Sequence, residues 1–274
     1  MFKAVFKLAR PLNVLITILS VWIAAYLANP SSGWFWVGLA SLAAAFIAAG
    51  ANTINDYYDV EADRINKPQR PLPAGEISAS RAFGTAWIEF IVGILLGFLV
   101  SVEIGLITLV IAALLFWYSY SLKKTGLSGN MLVSFICGFT FIYGALVAGN
   151  IREGYFPAIF AVLFHLGREI LKAMQDIPGD VSRGIRTFPL KWGRGSALRL
   201  LRGLFSLLAV FTFIPFAIHW YSLNYFLIVL MGIYPVLLIT AFNLKKDDSP
   251  RRIGFFSNLI KADMVIGLIA LYFK

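Results

Sequence analysis

Charge is scarce in this sequence. Asp, Glu, Lys and Arg together make up 14% of its 274 residues, against about 25% in soluble domains, and the mean hydropathy is +0.78. That balance leaves no room for a separate soluble domain, and the chain reads as a polytopic membrane protein. Cysteine is rarer still. The single Cys137 lies inside an apolar run, so neither a disulfide framework nor a cysteine metal site is available, and a small buried hydrophobe is its expected role. The two histidines are poor catalytic candidates, His165 falling in mid-helix and His219 at the boundary on the far side. The first apolar run is too long for a signal-peptide core and no small-residue cleavage site announces itself, so it is expected to remain in the mature protein.

Apolar runs are abundant. Stretches long enough to span a bilayer occur at about 12–28, 34–54, 82–100, 102–121, 130–149, 154–175, 198–219, 224–243 and 255–273. The expected fold is therefore all-α, a polytopic bundle of about nine transmembrane helices forming a single domain over 1–274. With the amino terminus cytoplasmic, one side collects Lys3, Lys7 and Arg10, then Arg64, Lys67, Arg70 and Arg81, then Lys123 and Lys124. It also takes the basic residues of 168–202 and of 245–261. Only Arg152 and Lys274 of the 24 basic residues fall opposite, which is the positive-inside pattern of a multi-pass cell-membrane protein. The net charge of +10 is explained by those loops, so no nucleic-acid partner is expected, and no obligate protein partner is evident. Gly93 and Gly97, at small-xxx-small spacing, read as helix packing.

The few acids are concentrated. The stretch 55–63, "NDYYDVEAD", follows the second apolar run and places Asn55, Asp56, Asp59 and Asp63 within nine residues. Positions 55, 59 and 63 fall within about 80° on a helix, with 56 just beside them. A wall of oxygen donors suits a hard cation such as Mg²⁺, which borrows further ligands from phosphates. A solvated helix end, or a negative cap on something basic, is the plainer alternative. The sixth helix ends in "REILKAMQDIPGD", where Arg168, Lys172, Asp176 and Asp180 recur every four residues. Ionisable groups at that depth are functional candidates, although an i,i+4 ladder can neutralise itself. Pro178 and Gly179 predict a kink or an end there, with Asp180 on a turn.

Two aspartate clusters on one side of an apolar bundle point to a diphosphate gripped between Mg²⁺-bearing walls, with a long hydrophobic tail among the helices. The metals would neutralise charge as an allylic C–O bond breaks, and an apolar chamber would shield the carbocation. Ring faces can stabilise such a cation, and Tyr57, Tyr58, Trp117 and Tyr118 lie near the cytoplasmic end.

"NDYYDVEADRINKPQRPLPAG" over 55–75 resembles the first aspartate signature of the UbiA superfamily of intramembrane prenyltransferases. "DIPGD" stands where that superfamily has its second Asp-x-x-x-Asp, "RPLN" over 10–13 looks like its first-helix start, and nine spans is its usual count. "GREILKAMQDIPGD" followed by "GIRTFPLKWG" is most similar to the geranylgeranylglycerol-phosphate geranylgeranyltransferases of the archaeal ether-lipid route. Pro178 and the "AMQ" of 173–175 depart from the usual pattern while leaving the acids intact.

The resemblance implies Mg²⁺-dependent transfer of a geranylgeranyl group from a prenyl diphosphate donor to the free hydroxyl of a lipid-phosphate acceptor, within the bilayer. It implies that Asn55, Asp59, Asp63, Asp176 and Asp180 ligate Mg²⁺, with Asp56 ligating or orienting. Lys123 and Lys124 are then expected at the diphosphate, with snorkelling to headgroups as the alternative. Arg64, Lys67 and Arg70 are expected to cap the site, with anionic lipid as the other candidate partner. The cap as a whole comprises the loops at about 60–81, 122–129 and 176–197. Arg168 and Lys172 suit a glycerol-phosphate acceptor unless Glu169 or Asp176 pairs with them, and Asn13 is expected either to hydrogen-bond substrate or to join helices. The rival readings are prenylation of an aromatic or tetrapyrrole acceptor and, from another class, a cation transporter.

Overall fold

The computed structural model describes residues 2–30, 33–182, 184–185 and 187–274, so Arg183 and Arg186 of the second basic connection lie outside the described residues. The chain opens with a short helix α1 (Phe2–Ala9) that was not expected from hydropathy. It buries Ala4 and Leu8 and exposes Phe2 and Phe6 beside Lys3 and Lys7, as a helix lying at a membrane surface would. Lys7 anchors it to Glu76 at 2.6 Å. Arg10, in the left-handed region at φ 52°, turns the chain into α2 (Pro11–Ala28), whose Pro11 sits in the first turn where no N–H is needed.

The remaining helices are α3 (Trp34–Asn66), α4 (Ala79–Val100), α5 (Val102–Tyr120), α6 (Leu127–Val147), α7 (Tyr155–Gln175), α8 (Ile177–Ser182), α9 (Phe188–Trp192), α10 (Arg194–Ala217), α11 (Leu223–Ile228), α12 (Tyr234–Asn243) and α13 (Pro250–Tyr272). Among the described residues nine segments are long and apolar enough to cross a membrane, as the runs predicted. One of them joins α11 to α12 through a wide turn at Val229–Ile233, just before Pro235. The expected division near residue 101 falls at Ser101, whose hydroxyl accepts from the Ile104 N–H and starts α5.

The bundle closes on itself. α2 packs on α3, α6 and α13; α3 packs on α4 and α5; α7 packs on α6, α10 and α13. Gly93 approaches Ala43 and Ile47 of α3 while Gly97 approaches Thr108 of α5, so the small-residue stripe packs α4 on both neighbours. Large apolar side chains such as Leu99, Val110, Met231 and Phe242 face outward, which water would not tolerate over so wide a surface but lipid does. α3 runs to Asn66, twelve residues beyond the expected end of its apolar run, so residues 60–66 of the expected loop are helical. The acidic stretch therefore rides on an unbroken helix.

Candidate active site

On α3, Asp56, Asp59 and Asp63 are buried and Asn55 is partly buried, and each carboxylate meets a cation. Asp56 accepts from Arg10 in a close ion pair and from Arg70 at 3.0 Å. The same Arg70 nitrogen donates to Asp63 at 2.6 Å. Asp59 is in close contact with Lys123, which also reaches Asn55 Oδ1 at 3.3 Å, and the Asn55 amide donates to Asp59 at 3.0 Å. Burial works against charge on Lys123 and on Arg70, but the neighbouring carboxylates outweigh it. They hold Lys123 (mainly through Asp59) and Arg70 (mainly through Asp56 and Asp63) above their ordinary pKa values. Both stay protonated at any physiological pH.

The second cluster lies across a break. α7 ends at Gln175, and Pro178 falls in the first turn of α8, where its missing N–H is no loss. Asp180 is therefore on a short separate helix rather than on a turn, and its N–H donates to the Asp176 carbonyl at 3.1 Å. Asn66, the last residue of α3, clasps this break: its Nδ2 donates to the Asp176 carbonyl and its Oδ1 accepts from the Gly179 N–H, both at 3.0 Å. A Cβ on Gly179 would lie 2.4 Å from Asn66 Nδ2 and 2.8 Å from the Ala62 carbonyl. Only glycine lets the two helix ends approach so closely. Lys67 completes the link by donating to both Asp176 carboxylate oxygens at 2.6 and 2.9 Å.

The expected stripe of Arg168, Lys172, Asp176 and Asp180 is not continuous, because the break turns its two ends to different partners. Arg168 and Lys172 close on Glu169 at 3.7 and 2.7 Å, so the pairing expected as the alternative to an acceptor phosphate is present, with one carboxylate shared by two cations, while Asp176 closes on Lys67.

Two adjoining cavities result. The smaller, of about 50 Å³, is lined by Asp59, Asp63, Asp176, Asp180, Lys123, Lys124 and Asn66. The larger, of about 220 Å³, runs between α2, α3, α5, α6, α7 and α13 and is walled by Ile16, Ile47, Ile107, Ile111, Leu115, Ile136 and Phe139. Tyr118, Ser119, Glu169 and Lys172 line both, so a polar pocket opens on an apolar chamber across a shared wall. Asn13 lines the chamber and bonds Asn52 at 3.3 Å.

Of the four aromatics singled out, only Tyr118 reaches the cavities. Tyr57 and Tyr58 pack on Phe83 and Phe116, and Trp117 is half-exposed on the outer face, since successive helical residues point different ways. Phe139 and Tyr143 supply the rings instead. Arg64 pairs with Glu61 in solvent, away from the aspartates. Cys137 and His165 also line the chamber, where Cys137 is only partly buried. Arg10, Asn52, Asn66, Glu169 and Lys261 contribute to the site without having been singled out for it. Lys261 does carry a local signal: it lies about 16 Å into α13, at 1.5 Å per residue, deeper than a loop charge would.

The donors that the two acidic clusters present to the smaller cavity are all oxygens, the chemistry of a Mg²⁺ site. Among the described residues no group of three or more acids, histidines or cysteines is arranged to hold a metal ion; Asp56, Asp59, Asp63 and Asp176 are turned to Arg10, Arg70, Lys123 and Lys67 instead.

A helical membrane bundle with two facing aspartate clusters over an apolar chamber is the architecture of a prenyl-diphosphate-using transferase. The model of the UbiA prenyltransferase family matches residues 14–260, and the chain belongs to that family of membrane-embedded prenyltransferases. It is 32% identical to the digeranylgeranylglyceryl phosphate synthase of Methanosphaera stadtmanae, covering 96% of each chain. Among solved structures, a digeranylgeranylglyceryl phosphate synthase superposes with a TM-score of 0.74 at 26% identity over 99% of this chain and 97% of that one. A UbiA homolog from Archaeoglobus fulgidus bound to GPP and Mg²⁺ shares the fold, with a TM-score of 0.66 at 18% identity over 98% of this chain and 99% of that one.

Proposed function

We propose that this protein transfers a geranylgeranyl group from geranylgeranyl diphosphate to the free glycerol hydroxyl of geranylgeranylglyceryl phosphate, releasing diphosphate and forming a di-ether lipid precursor. The observation that carries the reading is the Asn66 clasp, which brings Asp59 and Asp63 together with Asp176 and Asp180 around one cavity beside an apolar chamber. The acceptor follows from the activity named in the relatives. Neither an aromatic acceptor nor a transporter gains support from them.

Asn55, Asp59, Asp63, Asp176 and Asp180 would hold Mg²⁺, with Asp56 bracing Arg10 and Arg70 behind them. Bound Mg²⁺ supplies charge neutralisation for the departing diphosphate. Lys123, which pairs with Asp59, and Lys67, which pairs with Asp176, would take diphosphate oxygens. Lys124 lines the same cavity. The apolar chamber excludes water from the allylic carbon, and Tyr118 at the shared wall lies where the reacting ends would meet. The hydroxyl oxygen bonds to that carbon as its bond to diphosphate breaks, and the oxonium it becomes is acidic enough to pass its proton to the departing diphosphate without a placed base.

The basic residues favour an amino terminus and mouth on the cytoplasmic face of the cell membrane. Residues 1–274 then form one transmembrane domain, with the connections after α3, α5 and α7 closing over the mouth. The test supplies membranes holding the protein with geranylgeranyl diphosphate, Mg²⁺ and, in turn, geranylgeranylglyceryl phosphate or aromatic acceptors. The di-ether phosphate is the expected product by mass spectrometry; a prenylated aromatic alone would contradict the proposal.

A further inference from the structure

In the acidic pocket Asp59, Asp63 and Asp176 each pair with a cation, whereas cations outnumber carboxylates in the chamber beside it. Arg10 from the α1–α2 junction, Arg168 and Lys172 from α7 and Lys261 from α13 all line that chamber, and Glu169 is the one carboxylate among its lining residues. Lys261 takes part in no ion pair or hydrogen bond with the described residues, and the charges acting on its ammonium from Arg168, Arg10 and Lys172 are all of its own sign. Arg168 Nε is buried with no acceptor. Glu169 offsets one of the four cations and Asp56 another, through Arg10. Two positive charges remain, and cations left unpaired at such depth call for an anion. A phosphate monoester near neutral pH carries about −1.5 to −2.

We infer that Arg10, Arg168, Lys172 and Lys261 form a second anion subsite that binds the phosphate monoester of the acceptor lipid and selects a phosphorylated acceptor over its alcohol. This rests on the reaction proposed above and names the residues that recognise one of its substrates. The subsite is separate from the aspartate-lined pocket yet shares Lys172 and Glu169 with its wall. A phosphate held there leaves the short glycerol backbone to reach across that wall toward the donor. Lys261 is the specificity-determining member, because it alone of the four is committed to no carboxylate.

The full-length protein in nanodiscs with EDTA, free of Mg²⁺ and donor, provides the test by calorimetric binding of geranylgeranylglyceryl phosphate and of geranylgeranylglycerol. The wild type is expected to prefer the phosphate ester by at least about tenfold, the scale of a hydrogen bond to a charged group. Lys261→Gln should remove most of that preference and Lys261→Arg should retain it. Affinity for geranylgeranyl diphosphate with Mg²⁺ should stay within about twofold in both, which also shows that the variants are folded. An undiminished preference in Lys261→Gln, or equal losses toward donor and acceptor, would overturn the inference while leaving the reaction standing. A wild type that binds neither acceptor and forms no di-ether product would overturn both.

Discussion

On α3, Asp56, Asp59 and Asp63 project from an unbroken helix and are held by the side chains of Arg10, Arg70 and Lys123. At the α7–α8 junction, Asp176 and Asp180 flank a break: Lys67 holds the Asp176 carboxylate, and the backbone around the two acids is held by the amide of Asn66. The first cluster is rigid because regular helix spaces it, and charge pairs then orient it. The second is positioned by one residue of the first cluster's own helix, so the separation of the two walls is set where Asn66 meets Gly179 rather than by packing deep in the membrane.

Substitutions should separate these two kinds of support. The largest effect is expected where both walls do the same work: Asp59→Asn and Asp176→Asn should each lower kcat/KM by about 10² to 10³, the scale of losing one preorganised charge-stabilising group, in an assay of diphosphate release. Comparable losses would mark the walls as equal partners; a loss confined to Asp59→Asn would make the second wall dispensable. Next comes Arg70→Met, which strips two buried carboxylates of their shared cation and should destabilise the first wall by about 3 kcal/mol, read as a lowered thermal midpoint. Gly179→Ala should cost about 1–3 kcal/mol by overpacking against Asn66 and Ala62. It should weaken donor binding while Asp59 and Lys123 remain paired. Arg64→Ala is expected to change kcat/KM by less than about twofold, because among the described residues Arg64 pairs with Glu61 at the exposed surface. A large loss there would mean that the mouth closes further over the donor than this structure shows.

The same contrast explains which parts could be read from the chain. Lipid demands a long apolar run for each crossing, so the spans were visible one by one, and period-four spacing placed Asn55, Asp59 and Asp63 on one face. The clasp was not visible, because Asn66 finds Asp176 and Gly179 more than a hundred residues away and nothing local marks it. Among Tyr57, Tyr58, Trp117 and Tyr118, helical rotation decides which ring faces inward, and residue type carries no trace of it. Lys261 was readable in principle, as a cation deep in an apolar helix, but counting it among loop charges served the orientation and hid the site.

The central claim is that both aspartate walls grip a single diphosphate, and a double-mutant cycle on donor affinity tests it most directly. With Mg²⁺ present, Asp59→Asn and Asp176→Asn should each weaken binding of geranylgeranyl diphosphate, and the double variant should bind no more than about threefold worse than the weaker single. Losses that simply multiply, as for independent sites, would contradict it.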